Sequence, residues 1–365
     1  MKRKAIALAA GCCVLLSGCG RVDVLPYARE LEGMALMRTL GVDAAENGVA
    51  VTASSAAGDS GEKQAQVTER TAPSLSAAVL GMQAEGASYV YFGHVGQMLL
   101  GEDLARRSAG EALDYVLRDV EMRLDTELYV VRDGGAGEAI REAAEEGSAA
   151  GRLEAMAEDP GLAARSMPRT VRDVLADLER CGASFAPALR AEEGGGFSAA
   201  GYALLKDGAL AGWAEEEAAY GVNLLLGQVD ADVVEVPVPG GGSAALRVVG
   251  AKTRVRPQFQ GEILTGLEVL CRVDANLAGG NVDLEDRAVR EALEEALARM
   301  ESERVRAALT LGQELEADFL DLRSAAGLSA PWRWGQLREQ WEKWPELNWT
   351  VEVRAQIRRS YDARA

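Results

Sequence analysis

The last stretch of the chain constrains the fold most. From Leu347 to Arg358 apolar and polar residues alternate without a break, with Leu347, Trp349, Val351, Val353, Ala355 and Ile357 on one side and Asn348, Thr350, Glu352, Arg354, Gln356 and Arg358 on the other. Successive strand side chains point to opposite faces, so this period of two means a strand with one buried face and one wet face. Such a strand needs a sheet, and the sheet needs a layer over its apolar side. Candidate neighbours lie upstream. Asp232 to Val238 and Leu246 to Val255 are strand-like and are joined through Gly240, Gly241 and Gly242, a hairpin-type connection. Ile263, Thr265, Leu267, Val269, Cys271 and Val273 line one face of a long strand, with Glu268, Arg272 and Asp274 on the other. The covering layer is visible as well. Asp283 and Asp286 resemble a helix start, followed by Val289, Leu293, Leu297, Met300, Val305 and Leu309 at helical spacing. Ser329 and Pro331 open another helix, ended by Pro345, on which Trp334, Leu337, Trp341 and Trp344 share a face.

Before Gly194, Gly195 and Gly196, which read as a boundary, the patterns are weaker. Arg29 to Asp43 mixes helical and strand spacing and reads as a helix running into a strand that continues through Val49, Val51 and Ala53. Ser54 to Glu69, rich in Ser, Gly and charge, reads as an exposed loop. Helices are predicted over Ser74 to Ala84, Glu111 to Val120 and Val171 to Arg180, and strands over Tyr89 to Phe92 and Leu128 to Val131. Gly134 to Arg169 is Ala, Gly and Glu rich and predicts helices with weak faces. Long strands followed by long helices, without regular alternation, predict an α+β chain of several domains, with mixed or antiparallel sheets packed against long helices. The expected division is a leader over 1–18, an α+β region over 19–193 that could hold two subdomains, and an α+β domain over 194–365.

The leader is read from its order: Lys2, Arg3 and Lys4, an apolar run from Ala5 to Leu16, then small residues. That order is a secretory signal, and the run of roughly a dozen residues is short of the ~20 that cross a bilayer as a helix. Leu16, Ser17 and Gly18 before Cys19 form a lipobox, which makes Cys19 the lipid-attachment residue. Cys12 and Cys13 compete for the role, but cleavage there leaves about seven apolar residues of core and puts Ala where Leu is preferred. Stable anchoring takes more than one acyl chain, so a doubly or triply acylated Cys19 would hold the protein on the outer face of a membrane.

The net charge of the chain is −18, and loss of a leader with three cations and no acid takes it to about −21. Such a chain is repelled by nucleic acid, which excludes that class of partner, and by anionic headgroups, which leaves the lipid to hold it. Cys181 and Cys271 remain. An exported pair could form one bridge, although two buried unpaired thiols are the expectation.

The nucleophiles and bases of the chain do not combine into a catalytic set. His94 is the one histidine, so no histidine cluster can bind metal; beside Gly93 and Gly96 it could be a general base, but a structural position is the expectation. Gly196, Phe197 and Ser198 approach a nucleophile elbow, yet Gly201 falls one residue late, and a strand start is expected. Gly134, Gly135 and Gly137 lack the strand and helix flanks of a phosphate loop and read as a turn. The acidic runs Glu215, Glu216, Glu217 and Glu294, Glu295 read as solvated helix faces. Trp332, Trp334, Trp341, Trp344 and Trp349 could stack sugars or sit at a membrane interface, but helical spacing beside a sheet predicts core packing. No catalytic, cofactor-binding or metal-binding residue is assigned.

Several blocks together resemble the Ger(x)C family of spore germination lipoproteins, the C subunits of nutrient germinant receptors. The strongest is FSAAGYALLKDGALAGWAEEE from Phe197 to Glu217, which is similar to the family's apolar strand, Lys-Asp-Gly turn, Leu-x-Gly-Trp and acidic helix start. GAKTRVRPQF from Gly250, the long helix after Asp283 and the ending WEKWPELNWTVEVRAQIRRSY follow in order. RELEGMALMRTLGVD from Arg29, FGHVGQMLLGEDLAR from Phe92 and LDYVLRDVEMRLDTELYVVRDG from Leu113 match the amino-terminal half. Gly20 and Arg21 stand where the family has Trp-Asp, which points to a divergent member. The resemblance implies a non-enzymatic, lipid-anchored subunit with a structural or assembly role, bound to integral membrane A- and B-type subunits at the spore inner membrane. The alternative is a surface lipoprotein that binds a small solute for a transporter. Such binders usually show two lobes of regularly alternating strands and helices, a pattern not apparent in the sequence.

Overall fold

In a computed structural model of the chain, residues 34–57, 65–85, 88–158, 166–229 and 232–360 are described. The leader, Cys19 and the part of the Arg29 to Asp43 stretch before Met34 lie outside them. Among the described residues the chain builds a nine-stranded sheet and a four-stranded sheet, both mixed, with helices packed against them, an α+β architecture.

The large sheet begins as an antiparallel meander of β1 (Met34–Ala45), β2 (Gly48–Ala57) and β3 (Ala65–Ala72). β4 (Tyr89–Tyr91) also pairs with β1. Beside β1 run β5 (Gln97–Gly101), β6 (Glu127–Val131) and β7 (Ala183–Glu192), all parallel to it. β8 (Gly196–Lys206) and β9 (Ala209–Ala214) close the sheet antiparallel. The parallel centre is covered on both faces. α1 (Leu75–Glu85), α2 (Glu102–Arg118) and α5 (Val171–Cys181) share a core with one face, and α3 (Ala136–Glu145) and α4 (Ala149–Glu158) with the other. This explains the near-continuous apolar runs of β5 and β6, since a strand buried on both sides has no polar face to show.

Two expectations are corrected here. The stretch from Ser54 to Glu69 is not one exposed loop. It holds the end of β2 and the start of β3, paired from Thr52 with Glu69 to Ala57 with Ala65. β3 ends the sheet, with Glu69 exposed and paired with Arg141 of α3, and Arg70 laid against Gly81 of α1. The Arg29 to Asp43 stretch is strand from Met34 onward, with Met37 and Leu40 fully buried in it. The glycine triplet expected at a boundary forms the β7–β8 hairpin within this sheet, with Gly194 and Gly195 at φ +78° and +69°, values that favour glycine.

The second sheet starts at β10 (Asp232–Pro237) and continues through β11 (Ser243–Gln260), β12 (Ile263–Gly279) and β13 (Asn348–Ser360). β13 is parallel to β12, so the chain must cross over, and α7 (Arg287–Glu314), α8 (Leu322–Ser329) and α9 (Trp334–Gln340) make the crossing. Asp286 caps α7 by accepting from the amides of Ala288 and Val289. One face of the sheet packs into a core with Leu293, Leu297, Val305, Leu309, Leu337 and Trp344. The alternation in β13 holds: Val351 and Ile357 are buried and Glu352, Arg354 and Arg358 exposed. In β12 it holds from Leu267 on. At the tip a bulge beside Gln258 shifts the register, so Leu264 is buried and Ile263 is 62% exposed.

The free edge of β13 is blunted by α7. The Ile357 amide donates to Glu294, while Gln313 donates to the Leu347 carbonyl and Arg306 to that of Val351. The tryptophan helix is broken into a 3-10 turn (Pro331–Arg333), α9 and a second 3-10 turn (Trp341–Glu346) that contains Pro345. Leu337, Trp341 and Trp344 are buried as a face, Trp341 and Trp344 stack with centroids 6.3 Å apart, and Trp332 stands 78% exposed.

Candidate functional site

The most elaborated part of the molecule is the junction between the two sheets. α6 (Glu216–Leu226) leads from β9 toward β10 and packs on α7. Phe185, Tyr202, Leu204, Ala214 and Val222 from the large-sheet side join Ala308, Ala317 and Phe319 in one apolar cluster. Helix α6 approaches α7 so closely at Gly221 that an added Cβ would lie 2.0 Å from the Arg304 carbonyl oxygen, which only glycine permits. Tyr202 fixes the strand side, donating to Asn223 and accepting from the Met167 amide at 2.9 Å.

A buried charge network sits at this contact. Arg304 donates to Asp232 at 2.6 Å, to Glu217 at 2.8 Å and to Glu301 at 3.1 Å, and its guanidinium lies 4.2 Å from the Tyr220 ring centre. Glu301 is fully buried, and that burial outweighs Arg304 and pushes its carboxyl up to about 7. Arg304 is raised in turn by the three carboxylates around it, despite its own burial. A second buried acid, Asp318, accepts from the Leu322 amide at 2.7 Å and from Trp341 Nε1 at 3.1 Å, and burial pushes it up to about 6. These groups tie α6, β10, α7 and α8 into one body. Asp318 also accepts through its backbone carbonyl from Cys181 Sγ at 3.5 Å, a thiol that burial pushes up.

The large sheet does contain a strand, a glycine loop and a helix in order, β6, Gly134 and Gly135, then α3, which corrects the expectation of a simple turn. The helix start is filled from within. Asp43 of β1 accepts from the amides of Ala136 and Gly137, at 2.7 Å each, where a phosphate would otherwise sit. The glycines serve that carboxylate: a Cβ on Gly101 would lie 1.9 Å from Asp43 Oδ1 and one on Gly137 3.1 Å from Oδ2. Burial pushes Asp43 up against the pull of these two amides.

His94 is exposed on the loop after β4, edge-on to Tyr91 with centroids 5.8 Å apart. Its surroundings are Arg38, Arg123, Asp125 and Thr126, without a serine or cysteine nucleophile. Ser198 lies in β8 as a strand residue and donates to Glu192. Cys181 and Cys271 are unpaired, in α5 and β12, and burial pushes both thiols up to about 11. Cys181 is half-buried, Cys271 buried. Among the described residues no three His, Cys, Asp or Glu side chains gather as a metal site, and no helix is long and apolar enough to cross a membrane.

Two family models match this chain in sequence order. The spore germination protein N-terminal domain covers residues 27–191, and the spore germination B3/GerAC-like C-terminal domain covers residues 200–361. The chain belongs to this family of spore germination proteins. A search among curated proteins returns no match. Among solved structures the crystal structure of the GerBC protein is similar at 16% identity, with a TM-score of 0.57 over 87% of this chain and 96% of that one. That likeness is one of fold.

The two models of the germination family meet around the β7–β8 hairpin, whereas the large sheet runs on through β9. The block from Phe197 to Glu217 is therefore β8, β9 and the start of α6, the path from one sheet to the other. Its Glu217 joins Arg304 across 87 residues of sequence. Sequence reasoning missed Asp43, Arg304, Glu301 and Asp318. Asp43, Arg304 and Asp318 have partners from other elements, and Glu301 pairs with Arg304 one turn on in α7, a spacing that exposed helix pairs share.

Proposed function

We propose that this germination-family protein is the lipid-anchored C subunit of a spore nutrient germinant receptor, and that it holds receptor subunits together without turning over a substrate. The observation that carries the reading is the ordered match of both family models over nearly the whole chain. The leader and lipobox support attachment through Cys19 on the outer face of the spore inner membrane, and integral A- and B-type subunits would be its partners. The fused junction suits such a role, because a rigid body tethered to a membrane meets its membrane partners at high effective concentration.

Deleting the gene is expected to abolish or slow germination to particular nutrients while leaving responses to stimuli that bypass the receptor. Cys19→Ala is expected to leave an uncleaved or released precursor, and mass spectrometry finding an unmodified Cys19 in membrane-bound mature protein would count against the anchor. Hydrolysis of a peptide or peptidoglycan fragment by the purified protein, lost on replacing His94, would overturn the non-enzymatic reading.

A further inference from the structure

The four-stranded sheet has one face packed on helices and one face bare, and the bare face carries an arrangement that folding alone does not favour. Lys252 of β11, Arg272 of β12 and Arg354 of β13 stand directly opposite one another in adjacent strands, three like charges in one row. Like charges in directly opposed positions destabilise a sheet. The row next to it pairs Arg254 with Leu270 and Glu352, and the one after pairs Arg256 with Glu268 and Thr350. Glu352 is taken by Arg354 at 2.6 Å, Glu268 by Arg256 at 3.6 Å and Asp274 by Arg358 at 2.8 Å. Among the described residues no carboxylate lies within ion-pair distance of Lys252, Arg254 or Arg272. The face is cationic on a chain whose net charge is −18.

Leu270, half-buried and shorter than its neighbours, forms the floor of a depression of about 380 Å³ walled by Lys252, Arg254, Arg256, Arg272 and Arg354, with Glu352, held by Arg354, as its one acid. The cationic field does not stop there. It continues across β13 to Arg358, and at the β13 edge, beyond the bare face, an adjoining depression is bordered by Arg358 with Arg290 and Glu294 of α7. One compact anion would need the first depression alone. A field this broad over a sheet face fits many anionic groups held in a plane. Guanidinium forks match phosphate oxygens two at a time, and most of these cations are arginine.

We propose that this bare face binds the phosphate headgroups of an anionic phospholipid bilayer and so sets how the carboxy-terminal domain lies on the membrane. The proposal rests on the reading of the chain as membrane-attached for its setting. The tether supplies proximity, and the face supplies orientation. Repulsion from the remaining acidic surface does not prevent this, because charges more than about 8 Å from the headgroups are largely screened at physiological salt.

The test is co-sedimentation of the full chain with phosphatidylcholine vesicles, with and without phosphatidylglycerol, for the wild type and for K252Q/R254Q/R272Q. These three side chains are exposed and unpaired, so their loss leaves the fold intact, which a thermal melt checks. A control variant, R118Q/R123Q/R287Q, removes three exposed cations elsewhere. The expected result is a preference for phosphatidylglycerol in the wild type and control, weakened by salt. The bare-face variant should lose at least about tenfold of it, since each surface cation adds several-fold to binding of an anionic leaflet. An undiminished preference in that variant would overturn the proposal. So would saturable binding of inorganic pyrophosphate without any gain from phosphatidylglycerol, which would assign the depression to a soluble phosphate ligand, or capture of an acidic protein segment in place of vesicles. Whatever residues 1–19 contribute is common to all three proteins. Failure of the anchor reading appears separately, as an unmodified Cys19, and leaves the comparison between variants unchanged.

Discussion

In the large sheet β1, β5, β6 and β7 run parallel between two helical layers, whereas in the four-stranded sheet helices cover one face and leave the other bare. The difference separates two uses of a sheet. The first spends both faces on its own core and presents helices and loops to the surroundings. The second spends one face on the core and keeps a second, charged face available for a partner. Between them α6 and α7 form a junction through which the two regions share apolar packing and the Arg304 network.

The comparison breaks most readily at that junction. Arg304→Ala strands the buried Glu301 and Asp232, and removing one partner of a buried ion network costs about 3–5 kcal/mol. A large fall in melting temperature is expected, and a change confined to a few tenths of a kcal/mol would mean that the sheets do not depend on it. Next comes the two-faced character of β13. Trp349 lies against Trp344 with ring centres 6.1 Å apart, so Trp349→Ala should cost about 2–4 kcal/mol. Thr350→Ala on the bare face should stay within about 0.5 kcal/mol. Equal effects in a denaturation series would show that the face assignment is wrong. In the large sheet Asp43→Ala removes the cap of α3 and should cost about 1–2 kcal/mol, read by equilibrium unfolding. No loss would mean that solvent caps the helix as well as Asp43 does.

A pH dependence particular to the four-stranded side is expected as well. Burial raises Glu301 to about 7 and Asp318 to about 6 in the folded protein, above the values of an unfolded chain. The folded state therefore holds more protons than the unfolded state between about pH 4.5 and 7, and this contribution to stability falls as pH rises through that window. Melting temperatures from pH 5 to 8 should show the wild type losing stability relative to Glu301→Gln. Parallel curves for the two proteins would remove Glu301 as the cause.

How much could be read from the sequence follows from the same contrast. β11, β12, β13 and α7 were legible because each has one buried and one wet face, and alternation or helical spacing records that. β5 and β6 have no wet face, so their few apolar residues gave little sign of a parallel centre, and the strand, glycine and helix order at Gly134 was overlooked. The end of β2 and the start of β3 read as loop because strands at and beside a sheet edge tolerate the Ser, Thr and charge that loops also use. Asp43 meets its amides 93 and 94 residues away, and Arg304 meets Asp232 across 72. No local pattern encodes such pairs, and they emerge from topology.

The central claim, that this protein acts by holding membrane subunits together, is tested most directly by affinity purification of the full chain from spore membranes followed by mass spectrometry. Recovery of A- and B-type integral subunits with the wild type, and their loss on Arg304→Ala at matched protein levels, is the result predicted. Recovery of the protein free of those subunits from membranes that contain them would contradict the account.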